Sequence, residues 1–317
     1  MTFKRKPMLA CDWYQDRVKF PLTAQPKVDG VRSLNQNGQL IGRSLKKHEN
    51  IHITKMYSRK EFHGFDGEMI LGDDPGHPDL CRLSSQALRT RNGEPVVTWF
   101  IFDFVREETL HLSYEMRMNA LNEYLRVNPW MEEQYNIVPI SSITILNMDE
   151  LLELEQKYLS VGLEGMILRD PKALHKDGRC GKTFMGCWRI KRFIEVKARV
   201  KSIEEGRKNN NTAKINELGR TERSSHAENM EPNGQVGTLI CELLEPICDL
   251  FTNEVLIEAG EEIRVSAGEM TEAEAIHFFN HPEEILEHII KFRTFPKGVK
   301  DKPRFPNYVT IVNENDN

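Results

Sequence analysis

The sequence predicts an α+β protein in which a mixed first domain with antiparallel sheets, residues 1–194, precedes a smaller all-β domain, residues 195–317. Its length of 317 residues is enough for two domains, because a typical domain has about 150 residues. As far as Phe193, apolar runs typical of strands alternate with segments of helical spacing, and after it short strand-like runs predominate. This change of pattern sets the predicted boundary between the domains.

Charge is segregated along the chain, although the formal net charge is only −5. Residues 1–60 carry 13 Lys and Arg against 4 Asp and Glu, and residues 171–208 carry 12 against 4. Residues 231–290 carry 1 against 14. Such segregation creates basic surfaces that can meet a polyphosphate whatever the total charge.

Composition argues against several classes of protein. No apolar run approaches the roughly 20 residues that a membrane-spanning helix needs, so we expect no membrane partner. Residues 1–14 are basic and mixed, without the apolar core of a signal peptide, which favours a cytoplasmic location. None of the six cysteines stands in a C-x-x-C pair, so we expect reduced packing thiols rather than a zinc ribbon.

The segment from Lys27 to Arg32 has the sequence KVDGVR, with four residues of chemical interest in six positions. We expect a strand that runs into a turn at Gly30, which places the Lys27 and Asp29 side chains on the same side. A lysine beside other cations or a bound metal loses proton affinity and becomes an amine nucleophile. Arg32 can fork onto a phosphate or a ribose hydroxyl. For these six residues alone, a charged hairpin on the surface is the alternative.

The spacing K-x-D-G-x-R resembles motif I of the covalent nucleotidyltransferases, which include ATP-dependent DNA ligases and mRNA-capping enzymes. In that superfamily the lysine carries the nucleotide on its side-chain nitrogen. Five further segments occur in the family's order and match its motifs Ia, III, IIIa, IV and V: Arg43, Asp66-Gly67-Glu68, Thr98–Phe104, Glu164-Gly165-Met166 and Trp188–Lys191. Six short words in order seldom match by chance. The sequence is therefore identified as a member of the minimal, phage-type ATP-dependent DNA ligases.

The resemblance implies a fold and a reaction. The fold is a nucleotidyltransferase (adenylation) domain followed by an OB-fold domain, and the reaction seals nicks in duplex DNA through a lysyl-AMP enzyme and a DNA-adenylate. Lys27 is the implied nucleophile, and Asp29 either orients the reacting oxygens or serves only the turn. The implied cofactors are ATP and Mg²⁺ (or Mn²⁺). The implied partner is nicked double-stranded DNA, bound by a monomer, in the host cytoplasm if a phage encodes the protein.

The resemblance also implies contacts to the metal and the nucleotide. Glu164 and Glu68 are the carboxylates for the metal, and few protein carboxylates suffice because Mg²⁺ keeps phosphate oxygens and waters as ligands. Phe102 is expected to stack on the base, with a core phenylalanine as the alternative. The complete implied set for the nucleotide is Gln25, Arg32, Glu68, Phe102, Arg189, Lys191 and Arg304.

Two motifs depart from the family pattern. Motif V usually has two lysines, and here Arg189 takes the place of the first; arginine keeps the charge but has a planar fork and stays protonated. The phosphate role therefore goes chiefly to Lys191, which is also an implied catalytic residue. Motif VI has only its start, at residues 303–306, since its later R-x-D-K word cannot be found in residues 309–317. Arg304 is the remaining candidate to orient the pyrophosphate.

Three arginines are candidates for contacts with DNA. Arg43 matches the motif Ia arginine beside the nick phosphates, with a lone surface arginine as the alternative. Arg220 and Arg223 lie in the polar segment 206–235, whose length predicts a functional or disordered loop. This segment is either a DNA contact or an unstructured insertion.

Two other functions stay open at this point. An RNA ligase or mRNA-capping-type nucleotidyltransferase would use Lys27 with another acceptor or with GTP, although capping enzymes usually carry Asp-Gly where this chain has Glu164-Gly165. A non-catalytic nucleic-acid binder would tolerate the loss of Lys27. The NAD-dependent ligases need an extra domain before motif I, with zinc and helical repeats after the core, and we expect neither here.

Overall fold

The structure is a computed structural model that describes residues 3–13, 19–181, 184, 186–191, 193–248, 254–295 and 303–312. The chain divides into two compact units, Met1–Lys191 and Arg192–Asn317. Among the described residues, no helix is both long and apolar enough to cross a membrane.

The first unit contains short helices and two larger sheets. Its strands are β1 (Met8–Leu9), β2 (Cys11–Asp12), β3 (Leu22–Pro26), β4 (Val31–Gln36), β5 (Gln39–Gly42), β6 (Phe65–Leu71), β7 (Val97–Phe104), β8 (Ile137–Pro139), β9 (Ile143–Ile145), β10 (Met166–Arg169), β11 (Gly178–Arg179) and β12 (Cys187–Ile190). Its helices are α1 (Ile51–Tyr57), α2 (Leu80–Arg89), α3 (Tyr114–Arg126), α4 (Trp130–Tyr135) and α5 (Met148–Ser160), with a 3-10 turn at Lys60–Phe62.

Each of the two larger sheets has five strands. Their orders are β2-β12-β10-β3-β9 and β5-β4-β6-β7-β8. Most neighbours are antiparallel, but β2 pairs with β12 and β7 pairs with β8 in parallel. The prediction of antiparallel sheets is therefore correct only in part, and the α+β class is confirmed. The core against the second sheet is aromatic, with Tyr57, Phe62 and Trp99 fully buried.

The chain passes from one sheet to the other between β3 and β4, and this crossing carries Lys27. The predicted strand through Lys27 and Asp29 is wrong, because β3 ends at Pro26 and the next strand belongs to the other sheet. The Lys27 backbone N–H still donates to the Gly165 carbonyl oxygen at 2.9 Å. A Cβ at Gly30 would collide with the Met69 carbonyl oxygen of β6, so only glycine allows this close approach. Residues 27–30 thus connect the two sheets, and Val31 and Arg32 begin β4.

Local sequence signals elsewhere predict the elements of the first unit well. Asn37 and Gly38 have φ angles of 54° and 77° between β4 and β5, as a two-residue hairpin turn requires. Strand β6 contains Asp66-Gly67-Glu68, and α3 and α5 lie in segments of helical spacing. The side chains of Ser113 and Asn147 accept hydrogen bonds from the backbone N–H groups of Met116 and Glu150 in the first turns of these helices. This is the usual N-cap arrangement.

His48 anchors the segment after β5. Its ring nitrogen Nε2 lies 2.9 Å from Ser33 Oγ, and burial lowers the pKa of His48 from 6.5 to about 4. Because the folded-state pKa is lower than the unfolded-state pKa, this group favours folding above pH 6.5 and loses that contribution as the pH falls toward 4. From pH 8 to pH 5 we expect a loss of about 2 kcal/mol of unfolding free energy. Urea denaturation of wild type and His48→Gln over this range measures it, and parallel pH profiles would contradict the prediction.

The second unit is a closed barrel with an added hairpin. Its strands are β13 (Ile194–Asn209), β14 (Ala213–Ile215), β15 (Thr221–Arg223), β16 (Met230–Leu243), β17 (Ile247–Cys248), β18 (Val255–Ile257), β19 (Glu262–Ser266), β20 (Ile289–Phe295) and β21 (Arg304–Ile311). Helix α6 (Glu272–Asn280) and 3-10 turns at Ala227–Asn229 and Pro282–Glu284 complete it. The barrel order is β13-β16-β19-β21-β20. Leu239, Val265 and Phe292 are fully buried inside it. Thr271 and Glu274 form a capping box at the start of α6.

The polar segment 206–235 is mostly strand, and the prediction of a loop here is wrong. β13 continues to Asn209, β16 begins at Met230, and β14 and β15 form a second small hairpin between them. We call residues 204–236 the hairpin arm. Most of its side chains are exposed. An arm with water on both faces needs no apolar alternation, and alternation is the signal by which a strand is recognised in sequence.

Candidate functional site

A cavity of about 200 Å³ in the first unit collects most of the predicted site residues. It is lined from both five-stranded sheets and from the crossing between them. The predicted residues that line it are Gln25, Lys27, Arg32, Arg43, Glu68, Phe102 and Arg189. Residues far apart in the chain therefore meet in one concave place, as expected for a small-molecule site.

Lys27, Glu164 and Lys191 form one ionic cluster at this cavity. The Nζ atoms of Lys27 and Lys191 each donate to one oxygen of the Glu164 carboxylate. Burial opposes ionisation of Glu164, but the two ammonium groups outweigh it and hold the pKa of that carboxyl below its usual range. Burial also opposes the charge of Lys27, yet attraction to Glu164 raises the pKa of Lys27 above its ordinary value.

This result corrects the expectation that Lys27 has low proton affinity. The expectation counted the cations near Lys27, whereas Glu164 is in direct contact with it. Asp29 and Glu68 are also close enough for their charges to raise the pKa of Lys27. In this arrangement Lys27 is a protonated amine held by Glu164, and a protonated amine has no lone pair with which to attack.

Glu68 is the second carboxylate of the cavity. Burial raises its pKa to about 7, although the charges of Arg32 and Lys27 act in the opposite direction. Within the described part of the chain, no hydrogen bond or ion pair holds the Glu68 carboxylate. A carboxylate in this state can accept a hydroxyl or take a place beside a hard cation.

Arg32 is held by Asp66 and covers Phe102. Its Nε and Nη2 atoms donate to the two Asp66 oxygens, each at 2.6 Å, and Nη2 also donates to the Met8 carbonyl at 3.2 Å. The guanidinium carbon lies 4.4 Å from the centre of the Phe102 ring. A base that stacks on Phe102 therefore either takes the ring face opposite Arg32 or displaces the guanidinium.

A buried charged network next to the cavity was not predicted from the sequence. Arg117 donates to both oxygens of Asp103 at 2.7 and 3.0 Å, and Arg169 Nη1 lies 3.4 Å from one of them. Burial would raise the pKa of Asp103, but the two arginines reverse this effect and hold it far below its usual range. The sequence signal for this network was Asp103, a charged residue inside the apolar run of β7, because a buried charge needs a partner.

Positive charge gathers at the mouth of the cavity. Burial and then the charges of Arg179, Arg32 and Arg189 lower the pKa of Arg43. Arg189 Nε donates to Asp12 at 2.7 Å, and Arg179 Nη1 donates to the Ala10 carbonyl at 3.0 Å. Arg179 also lines the cavity and was not predicted. It stands in the basic segment 171–208, whose charge was the only signal for it.

The remaining predicted residues belong to the second unit. Arg304 is the first residue of β21, and its guanidinium lies 5.5 Å from the Phe305 ring. Arg220 and Arg223 are exposed on the hairpin arm, where Arg223 donates to the Asn211 carbonyl. Of the stretch searched for the end of motif VI, residues 313–317 lie outside the described residues.

Comparisons with known proteins agree on one family. The family model described as "ATP dependent DNA ligase domain" matches residues 7–185. Two structures of Chlorella virus DNA ligase-adenylate are 24% and 25% identical to the chain, with TM-scores of 0.53 and 0.52. The matches cover 97% and 98% of this chain and 99% of each viral chain.

A structure from an analysis of Lig E DNA ligases, described as DNA binding with a minimal scaffold, resembles the fold. Its TM-score is 0.68 at 17% identity, and the match covers 98% of this chain and all of that chain, 100%. Among curated proteins, none matches the sequence.

Proposed function

We propose roles for the residues of a chain that belongs to the ATP-dependent DNA ligase family, since that family's model covers more than half of its length. The protein is an ATP-dependent DNA ligase that seals nicks in duplex DNA, and its reaction uses a divalent cation. One observation supports the residue-level proposal most strongly: the Lys27 amine is held by Glu164 in a cavity lined by cations.

In the proposed first step, the Lys27 amine attacks the α-phosphorus of ATP. A bond forms between Lys27 Nζ and that phosphorus, the bond to the β-phosphate oxygen breaks, and pyrophosphate leaves. Lys27 must give up its extra proton to solvent before it attacks, because only the neutral amine has a lone pair, and the nitrogen releases a second proton to solvent as the bond to phosphorus forms. Asp29 orients the reacting oxygens, and Arg189 and Lys191 offset the phosphate charge. Arg304 orients the pyrophosphate.

Glu164 and Glu68 are the proposed residues that hold the divalent cation, Mg²⁺ or Mn²⁺. Both carboxylates are close enough to Lys27 for their charges to raise its pKa. Two carboxylates are a suitable donor set because Mg²⁺ completes its coordination with substrate phosphates and water. When bound, the cation would offset charge on the phosphates of ATP.

The base and ribose of ATP take the inner part of the cavity in this proposal. Phe102 stacks on the base, and Gln25 contacts its edge. Arg32 has Nε and Nη2 engaged by Asp66, which leaves Nη1 for the ribose or a phosphate. Glu68 accepts a ribose hydroxyl when it does not contact the cation.

In the second and third proposed steps, AMP passes from Lys27 to the nick and is then released. An oxygen of the 5′-phosphate attacks the AMP phosphorus and the bond to Lys27 breaks. The 3′-hydroxyl then attacks the 5′-phosphate, and AMP leaves as the new phosphodiester forms. Arg43 and Arg179 at the cavity mouth are the proposed contacts to the nick phosphates.

We propose that the second unit is an OB-fold domain. A closed barrel of five strands with α6 between β19 and β20 supports this assignment, while the division at residues 194 and 195 stays a prediction. Arg220 and Arg223 on the hairpin arm are proposed DNA contacts. A monomer in a cytoplasmic compartment is also proposed, and six free cysteines support the location.

Labelling with α-³²P-ATP tests the proposed pathway directly. Wild type with Mg²⁺ should take up label, and nicked duplex DNA should then discharge it with formation of a sealed strand. Failure of the labelled protein to pass AMP to nicked DNA would contradict the proposed second step. The family model does not favour the RNA-ligase or capping alternative.

Arg43→Ala should slow discharge of the label without slowing its uptake. We expect nicked DNA to discharge the labelled variant about tenfold more slowly. We also expect the slope of log affinity for DNA against log salt concentration to fall by about the amount that one phosphate contact contributes. Arg126→Ala, at an exposed arginine paired with Glu123 on α3, is the matched control. Equal discharge rates and equal salt slopes in wild type and Arg43→Ala would remove Arg43 from the DNA contacts.

A further inference from the structure

The hydroxyl of Tyr114 joins the two residues proposed to contact the base. It lies 2.6 Å from Gln25 Nε2 and 3.1 Å from the Phe102 carbonyl oxygen. Tyr114 and Gln25 are almost completely buried, at 1% exposure each. Gln25 and Phe102 line the cavity, whereas Tyr114 lies behind them.

The chemistry of these three groups determines the orientation of the Gln25 amide. A carbonyl oxygen only accepts hydrogen bonds, so the Tyr114 hydroxyl donates its single proton to Phe102. Burial raises the pKa of Tyr114 above its usual range, which keeps this proton in place at neutral pH. Toward Gln25 the hydroxyl can then only accept, so the amide nitrogen must face Tyr114. The hydrogen-bond network alone therefore assigns the amide nitrogen and oxygen of Gln25.

Ser142 stabilises the same orientation of the Gln25 amide. Its Oγ lies 3.0 Å from Gln25 Nε2 and 3.5 Å from the Ile140 carbonyl oxygen, to which it donates. Both N–H groups of the Gln25 amide therefore have acceptors. Within the described part of the chain, no donor reaches Gln25 Oε1, which leaves that oxygen as the acceptor for a ligand.

We propose that Tyr114 is a positioning residue that fixes Gln25 with Oε1 toward the cavity and so makes the site select adenine over guanine. The proposal rests on the proposed function, in which Gln25 contacts the base. Adenine presents an amino group at its 6-position, which can donate to Oε1. Guanine presents a carbonyl oxygen there, and two acceptors facing each other cannot bond. A buried site built for one hydrogen bond rejects the analogue that lacks it.

Tyr114→Phe tests this role by removing one oxygen atom. We expect the KM for ATP in the labelling reaction to rise about tenfold with little change in kcat. A tenfold change in affinity corresponds to about 1.4 kcal/mol of binding free energy. We also expect the preference for ATP over GTP, measured as the ratio of kcat/KM values, to fall at least about tenfold. In Tyr114→Phe/Ser142→Ala both amide orientations become available, and the preference should fall further.

Tyr57→Phe is the matched control because its hydroxyl is also buried, lies outside the cavity lining, and donates to the Tyr135 carbonyl at 2.6 Å. It should lose stability to a similar extent while its nucleotide preference stays at the wild-type value. An unchanged preference in folded Tyr114→Phe and in the double variant would overturn the proposal. Absence of label on the wild type with ATP would instead contradict the proposed function, so the two failures are distinguishable.

Discussion

Lys27→Ala is expected to abolish transfer of AMP to the protein. The amine is the only group proposed to bond the α-phosphorus, and loss of a nucleophile removes a complete pathway rather than one stabilising contact. We expect adenylation to fall by at least about 10⁴-fold, as when a catalytic nucleophile is removed from other enzymes. Gel detection of protein-bound α-³²P after incubation with ATP and Mg²⁺ measures the effect.

Two further variants define what the Lys27 result means. Lys27→Arg keeps the positive charge but stays protonated, so it should fail to take label as completely as Lys27→Ala does. Lys55→Ala, in the last turn of α1 and away from the cavity, is the matched control and should label normally. Label of wild-type intensity on Lys27→Ala would show that another residue is the nucleophile.

Glu164→Gln is expected to slow adenylation by about 10²–10³-fold, the range seen when one group that stabilises charge in a reaction is removed. The substitution keeps the size of the side chain and removes the charge shared by Lys27 and Lys191. The two ammonium groups then lose the carboxylate that both contact, and one proposed ligand of the divalent cation is lost. Initial adenylation rates over a Mg²⁺ titration measure both consequences.

The shape of that titration distinguishes a metal role from a purely structural one. A metal role predicts that Glu164→Gln needs a higher Mg²⁺ concentration for half-maximal rate, whereas misplacement of Lys27 alone lowers the rate at every concentration. Glu153→Gln, on the exposed side of α5, is the control with the same chemical change. A wild-type rate and midpoint for Glu164→Gln would argue against any role of this carboxylate.

Local chemistry explains why much of the site could be predicted from sequence. Each motif is a short run of neighbouring residues. Gly30 and Gly165 must be glycine, because a Cβ at either position would collide with a neighbouring backbone carbonyl. The position of Lys27 between two sheets could not be predicted in the same way. It depends on the pairing of β3 and β4 with strands that are distant in sequence, and a short stretch of sequence carries no information about that pairing.

Contacts between distant residues explain the features that the sequence did not predict. Asp103 meets Arg117 and Arg169, which lie 14 and 66 residues away in the chain, so its network has no local pattern. The proton affinity of Lys27 was misjudged because it depends on Glu164, 137 residues away. Strand β19 has only five residues, so its alternation of polar and apolar side chains is too short to be a strong signal. Its place in the barrel is set by pairing with β16 rather than by its own composition.

The hairpin arm has a consequence for how the protein behaves at high concentration. In the described chain the parts of β13 and β16 in the arm pair mainly with each other, for example Lys208 with Glu231, so each presents an outer edge of unpaired backbone groups. Such edges invite pairing between molecules unless charge, proline or irregular register discourages it. The arm has all three, with Arg207 opposite Pro232 and register shifts beside Glu205. We therefore expect variants that neutralise its charged residues for DNA-binding studies to self-associate more than wild type does, and light scattering measures this.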